Sequence, residues 1–194
     1  MINTIFDFDL FFVYLSGPIQ YASDGGISWR IKVTQRLKEI GIPEKQILDP
    51  CNKPMNTFDG KDLDSDLEYV KKLRAQGKWE EVENFVRHTI RIDLRLVDKS
   101  DLIYMHVDPN THTCGTYDEM SVARTQKKPV IAVVDGGLEK APLWLVGRIG
   151  AAHIFPSDDE ALKYIEGVMK GHIGFDPKSW LFFDTGKKYD TKKD

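Results

Sequence analysis

Short apolar runs alternate along this chain with longer amphipathic stretches, and that alternation limits the available folds more than any other feature. The first run, Leu10-Phe-Phe-Val-Tyr-Leu15, is apolar at every position and stops at Ser16-Gly17-Pro18. A strand of that kind is covered on both faces, as strands of parallel sheets are. Further runs predict strands at Gln46–Leu48, Leu102–Val107, Pro129–Val134 and His153–Phe155. Helical spacing fills the gaps. Trp29, Val33 and Leu37 mark a helix over Ser28–Ile40, stopped by Gly41. Val82, Val86, Ile90 and Val97 form the core-facing stripe expected of a helix over Trp79–Val97. Thr116–Gln126, Leu143–Arg148 and Ala161–Met169 predict three more helices. Residues 52–78 are polar and crowded with charge, and predict a mobile loop with some helix.

Strands alternating with helices imply an α/β domain with a doubly wound, five-stranded parallel sheet. Right-handed crossovers favour the flavodoxin-like order 2-1-3-4-5. In that order the loops after the first and third strands diverge, and the crevice between them is the usual ligand site. Here it is lined by Ser16, Gly17, Pro18 and Ile19 on one side and by residues 108–116 on the other. With 194 residues the chain suits one such domain, placed at 1–170 with a tail over 171–194.

A net charge of -3 provides no basic field for a nucleic-acid polymer. The run at Leu10 is too short to span a membrane and lacks a basic leader, so neither a membrane partner nor a secretory signal is expected. The two cysteines, Cys51 and Cys114, form no CxxC pair, and no His/Cys cluster has zinc spacing. These features predict a cytoplasmic protein with no metal. Ser16-Gly17-Pro18 is neither a Walker motif nor a GxGxxG fingerprint, and no other cofactor is expected.

Chemistry is therefore sought in the two loops. The second reads Asp108-Pro-Asn-Thr-His-Thr-Cys-Gly-Thr-Tyr-Asp-Glu119. Thr116 and Glu119 have the spacing of a capping box, in which Glu119 bonds only to backbone. The alternative is a carboxylate in the first helical turn, held ionised by the helix N-terminus and able to attack an anomeric carbon. Gly115 permits close approach of a ligand. Asp93 falls on the apolar stripe of its helix, where a charge requires a partner such as Arg87 or Arg148, a frayed helix end, or a role as a proton donor facing the crevice. Tyr14, near the end of the first strand, reads as packing. Gly25-Gly26 before Ser28 reads as a turn and helix cap, or as a backbone anion site. Arg30 reads as a surface residue or a phosphate ligand, Trp29 as core and His112 as exposed loop. Asp98 and Asp101 are expected to be solvated.

Three segments together resemble the nucleoside 2-deoxyribosyltransferase family. They are Val13-Tyr-Leu-Ser-Gly-Pro-Ile19, Arg91-Ile-Asp-Leu-Arg-Leu-Val-Asp-Lys-Ser-Asp-Leu-Ile103, and Cys114-Gly-Thr-Tyr-Asp-Glu119 with Ala123 and Lys128-Pro-Val-Ile131. The resemblance runs from about Phe11 to Ile165. It implies that Glu119 is a nucleophile forming a covalent sugar intermediate, that Asp93 lies near the base and serves proton transfer, and that Tyr14 orients the nucleophile. Gly17 and Gly115 would shape the sugar pocket, with Ser16, Pro18, Asp108, Thr113 and Thr116 as further substrate contacts. Six residues before the nucleophile, family transferases typically carry an aspartate near the 5′-hydroxyl, whereas this chain has Thr113. Related nucleotide N-hydrolases place a hydroxyl residue there, against a 5′-phosphate. The resemblance thus implies cleavage or transfer at the N-glycosidic bond of a nucleoside or nucleoside 5′-monophosphate. It also implies a homo-oligomer, and the apolar cluster Trp180-Leu-Phe-Phe183 is expected to dock on a partner subunit or on its own sheet. Two other readings use the same loops: a nucleotide sensor without turnover, and an enzyme that cleaves the nicotinamide–ribose bond of a dinucleotide.

Overall fold

The computed structural model describes residues 10–52 and 63–174. Its single sheet is five-stranded and parallel throughout, in the order β2-β1-β3-β4-β5. The strands are β1 (Val13–Ser16), β2 (Ile47–Leu48), β3 (Leu102–Val107), β4 (Val130–Val134) and β5 (Ile154–Phe155). The helices are α1 (Ile27–Ile40), α2 (Leu63–Ala75), α3 (Trp79–Lys99), α4 (Cys114–Thr125), α5 (Leu143–Ile149) and α6 (Asp158–Met169). The doubly wound architecture and strand order expected from the alternation are both present. The cluster Trp180–Phe183 and residues 53–62 of the charged stretch lie outside the described residues. Among the described residues, no helix is long and apolar enough to cross a membrane.

Strand alternation divides the core in two. Val13, Leu15, Tyr104, Ile131 and Val133 face α1 and α6 through Val33, Leu37, Leu162 and Ile165. Tyr14, Ile103, Met105, Ala132 and Val134 face the other side, against Val97 of α3, Met120 and Ala123 of α4, and Leu145 of α5. Ser16 follows Tyr14 by two residues, so both point to the α3–α4 side. This parity places the polar ends of Tyr14 and Ser16 beneath α4.

Boundaries shift where side chains compete with the apolar pattern. Strand β1 starts at Val13, and Leu10 is 70% exposed. Its entry is fixed by Asp101, which accepts a bond from the Phe12 amide at 2.8 Å and is half-buried rather than solvated. Burial raises the Asp101 pKa above the ordinary aspartate value. Lys128 is buried and its ammonium caps the end of α3, donating to the carbonyls of Val97 and Asp98 at 2.6 Å each.

The stripe expected to hold α3 against the core needs correction. Ile92 and Val97 are buried, whereas Val86 and Ile90 are 41% and 46% exposed. Truncating a buried residue leaves a cavity and loses its transfer free energy, and truncating an exposed one does neither. Ile92→Ala should therefore destabilise the protein by about 2–5 kcal/mol, and Ile90→Ala by less than about 1 kcal/mol. Urea unfolding of the two variants measures both.

Candidate active site

Glu119 lies on the face of α4 turned toward the sheet, next to buried Met120. One carboxylate oxygen accepts a hydrogen bond from the Tyr14 hydroxyl at 2.8 Å, and the other accepts one from the Ser16 hydroxyl. The Tyr14 side chain is fully buried, and desolvation first, then the nearby charges of Glu119 and Asp93, push its pKa far above the ordinary value. Tyr14 thus remains a donor. Burial raises the Glu119 pKa to about 7, and the negative charge of Asp93 adds to the rise. The Ser16 and Tyr14 hydrogen bonds and the Arg30 charge pull the other way.

Both expectations for the Thr116–Glu119 spacing are corrected by this geometry. Helix α4 begins at Cys114 with Thr113 as its N-cap, so Thr116 is a buried helical residue and caps nothing. Glu119 is the sixth helical residue, beyond the first turn where the helix dipole acts. Its carboxylate bonds side chains of β1 rather than backbone, and its proton affinity is high rather than low.

Asp93 reaches the same region from α3, close enough for its charge to act on both Glu119 and Tyr14. Arg87, one expected partner of Asp93, instead pairs with Glu83 on its own helix. Asp93 lines one end of a cavity of about 680 Å3. The walls are Ile19, Gln20 and Tyr21 of the β1–α1 loop, Pro50 after β2, residues of α2, and Trp79, Val82, Phe85, Val86 and Thr89 of α3. Residues 79, 82, 86, 89 and 93 repeat at helical spacing, so much of the stripe assigned to the core is cavity wall. Lys71 and Arg74 of α2 place positive charge on the same wall. The volume lies in the range of small-molecule pockets.

The remaining predicted residues divide by position. Gly17 is required by packing on the opposite side, because a Cβ there would sit 2.6 Å from the Trp29 ring and 3.3 Å from His106. Trp29 is half-buried and stacks on His106 at 5.0 Å. Gly115 is exposed with open space around it. Thr113 is half-buried, and its side chain makes no capping bond. Asp108 uses its carboxylate within its own turn, accepting from the Asn110 amide at 2.8 Å and the Thr111 hydroxyl at 2.6 Å. These bonds, Thr111 foremost, hold its pKa down. Pro18 gives its carbonyl to Arg30. Exposed His112 meets Tyr21 edge-to-face at 6.4 Å, joining the two crevice loops.

The Gly25-Gly26 turn does not present free amides to an anion. Asp24 accepts from the amides of Gly26 and Ser28 at 2.8 and 2.9 Å, and these bonds together with the Ser28 side chain hold its pKa at about 2. Gly26, with φ +73°, is the N-cap of α1 in place of Ser28. Arg30 is only 1% exposed, so neither the surface nor the phosphate role fits it. A signal for this was present: Arg30 falls three residues before Val33 and seven before Leu37, on the buried stripe of α1. Among the described residues, no group of three His, Cys, Asp or Glu is placed to hold a metal ion.

No family model matches the sequence, and no curated protein sequence is significantly similar to it. The solved structure of a 2-deoxyribosyltransferase from the psychrotolerant bacterium Bacillus psychrosaccharolyticus superposes with a TM-score of 0.55. The match covers 81% of this chain and 94% of that one, at 16% identity. The chain has the fold of a 2-deoxyribosyltransferase. Within that fold the Glu119, Tyr14 and Ser16 group sits at the carboxyl end of β1, where doubly wound sheets place their ligands.

A carboxylate whose folded pKa is raised stabilises the fold below its unfolded pKa and loses that contribution as pH rises through the folded value. For Glu119 the window runs from the ordinary glutamate value of 4.5 to about 7. The stability of Glu119→Gln relative to the wild type should therefore increase between pH 4.5 and pH 8, by on the order of 3 kcal/mol. Urea unfolding of both proteins at the two pH values measures the difference.

Proposed function

We propose that this protein cleaves or transfers at the N-glycosidic bond of a nucleoside or nucleoside 5′-monophosphate, with Glu119 as the nucleophile. The observation that carries the reading is a carboxylate enclosed against the sheet, fixed by two hydroxyl donors and adjoined by a second carboxylate at the end of a largely apolar cavity. A purely structural carboxylate gains nothing from such burial, which costs several kcal/mol unless compensated. The sugar's anomeric carbon would meet Glu119, and the base would lie toward Asp93 between apolar walls.

In the first step a Glu119 oxygen bonds to C1′ as the C1′–N bond breaks. The base leaves with the bonding pair and takes a proton from Asp93 or a bound water. Tyr14 and Ser16 hold the carboxylate in line for attack. In the second step an acceptor base or a water attacks C1′, its proton passes to the group that protonated the departing base, and Glu119 is released as the carboxylate. An acceptor base makes the reaction a transfer, and water makes it a hydrolysis. Only the ionised carboxylate attacks, so activity should rise with pH along an acid limb near 7.

Chromatography of free base, released from a panel of deoxynucleosides and their 5′-monophosphates, tests the reading. Base release should require Glu119 and vanish in Glu119→Ala. Its dependence on an added acceptor separates transferase from hydrolase. No release from any member by a folded protein would overturn the reading.

Thr113, half-buried at the start of α4, supports acceptance of a 5′-phosphate, because a hydroxyl and nearby helix amides tolerate an anion that a carboxylate repels. Thr113→Asp should lower kcat/KM for the monophosphate at least about tenfold while sparing the nucleoside. Turnover of nucleosides with none of monophosphates would remove the phosphate from the proposal.

A further inference from the structure

Among the described residues Arg30 is the largest fully buried side chain, and the chemistry described above makes no use of it. Its guanidinium is planar, with five donors in a fixed fork. One terminal nitrogen donates to the Gly17 carbonyl at 3.0 Å. The other donates to the Gly26 carbonyl at 2.7 Å and reaches the Pro18 carbonyl at 3.4 Å. Nε lies 3.4 Å from a carboxylate oxygen of Asp49, just after β2. The guanidinium carbon sits 4.4 Å over the Trp29 ring. One side chain on α1 thus ties both ends of the 17–26 loop to each other and to the neighbouring strand.

The loop is built around this contact. Gly26 has φ +73°, and a Cβ there would lie 2.1 Å from the Pro18 carbonyl oxygen and 2.5 Å from the Arg30 nitrogen. The Gly17 carbonyl held by Arg30 belongs to the residue that immediately follows Ser16, and Ser16 donates to Glu119. Burying a guanidinium among carbonyls is costly, and a folded loop alone does not need the charge. Asp49 meets that charge on one side and is itself partly held by the Cys51 amide at 2.8 Å. The Arg30 charge also acts on Glu119, favouring its ionised form, and on Tyr14.

We propose that Arg30 is a positioning residue for the glycosyl nucleophile: it clamps the peptide after Ser16, so that the serine hydroxyl stays aimed at Glu119. The proposal rests on the reading of Glu119 as nucleophile. Among the described residues, the charged and titratable groups that act on Glu119 are Tyr14 on β1, Asp93 on α3 and Arg30 on α1. Arg30 is the cation among them.

Two variants separate the clamp from the charge. Arg30→Met removes both, and Arg30→Lys keeps a charge but loses the fork. For Arg30→Met, kcat should fall about 10- to 100-fold with KM changed by less than about threefold, as expected for a misplaced reacting group. The acid limb of kcat/KM should also move to higher pH. Arg30→Lys should restore the acid limb toward the wild type while kcat stays depressed. Asp49→Asn, which leaves the carbonyl contacts of Arg30 in place, is the milder variant should Arg30→Met fail to fold, and should lower kcat by a smaller factor. Titration of the Glu119 carboxyl by 13C NMR needs no turnover. Its midpoint should rise in Arg30→Met, or fall in Asp49→Asn where only that variant folds. An unchanged midpoint would overturn the electrostatic role, and an unchanged kcat in folded variants would overturn the clamp. Absence of wild-type turnover on the whole substrate panel, with the midpoint shifted as stated, would refute the glycosyl reaction and leave the Arg30–Glu119 coupling standing.

Discussion

The contact between β1 and α4 through the Glu119 carboxylate is the constraint on which the rest of the site depends. A carboxylate removed from water is unfavourable by several kcal/mol unless donors and positive charge surround it. The chain supplies them from two elements. Tyr14 and Ser16 project from the same side of β1 because they are two residues apart. Arg30 enters from α1, across the end of the sheet. Strand order makes this convergence possible: β1 lies between β2 and β3, so the loops after β1 and β3 open on either side of the crevice.

Asp93 acts against that arrangement. A second carboxylate near Glu119 raises its proton affinity, as burial does, and the outcome is a group poised near pH 7 rather than one locked in either state. A carboxyl with that balance is ionised often enough to attack at neutral pH and is more basic than a solvated glutamate. The cavity then extends from Asp93 along α3 between apolar side chains, with Lys71 and Arg74 of α2 on the same wall. The charged stretch before α3 is therefore, in its described part, a wall of the candidate site.

The sheet was legible in the sequence because continuous apolar runs separated by amphipathic segments have few parallel-sheet solutions. Asp93 was legible as a charge on the apolar stripe of its helix, and Glu119 by its place just after the crevice loop and by the family-like segment that contains it. Tyr14 as a partner of Glu119 came from the family resemblance alone, and Ser16 as its second donor was not legible, since both are about a hundred residues from Glu119 along the chain. The α3 stripe misled because periodicity reports an apolar face without saying whether it meets a core or a cavity. Val86 looks the same from the sequence in either case. Arg30 was missed because a lone arginine is usually solvated, and its place on the Val33–Leu37 stripe received no weight. At Gly25-Gly26 the turn-and-cap reading holds, with Gly26 as the cap, and the anion site fails because the chain's own Asp24 takes the amides.

The most direct measurement is peptide mapping by mass spectrometry after incubation with a substrate analogue fluorinated at the sugar 2-position. The fluorine slows breakdown of a glycosyl–enzyme ester by destabilising its oxocarbenium-like transition state. The account predicts release of one equivalent of base and a sugar adduct on the peptide containing Glu119, absent from Glu119→Ala. Base release with no adduct, or an adduct on any other residue, would contradict it.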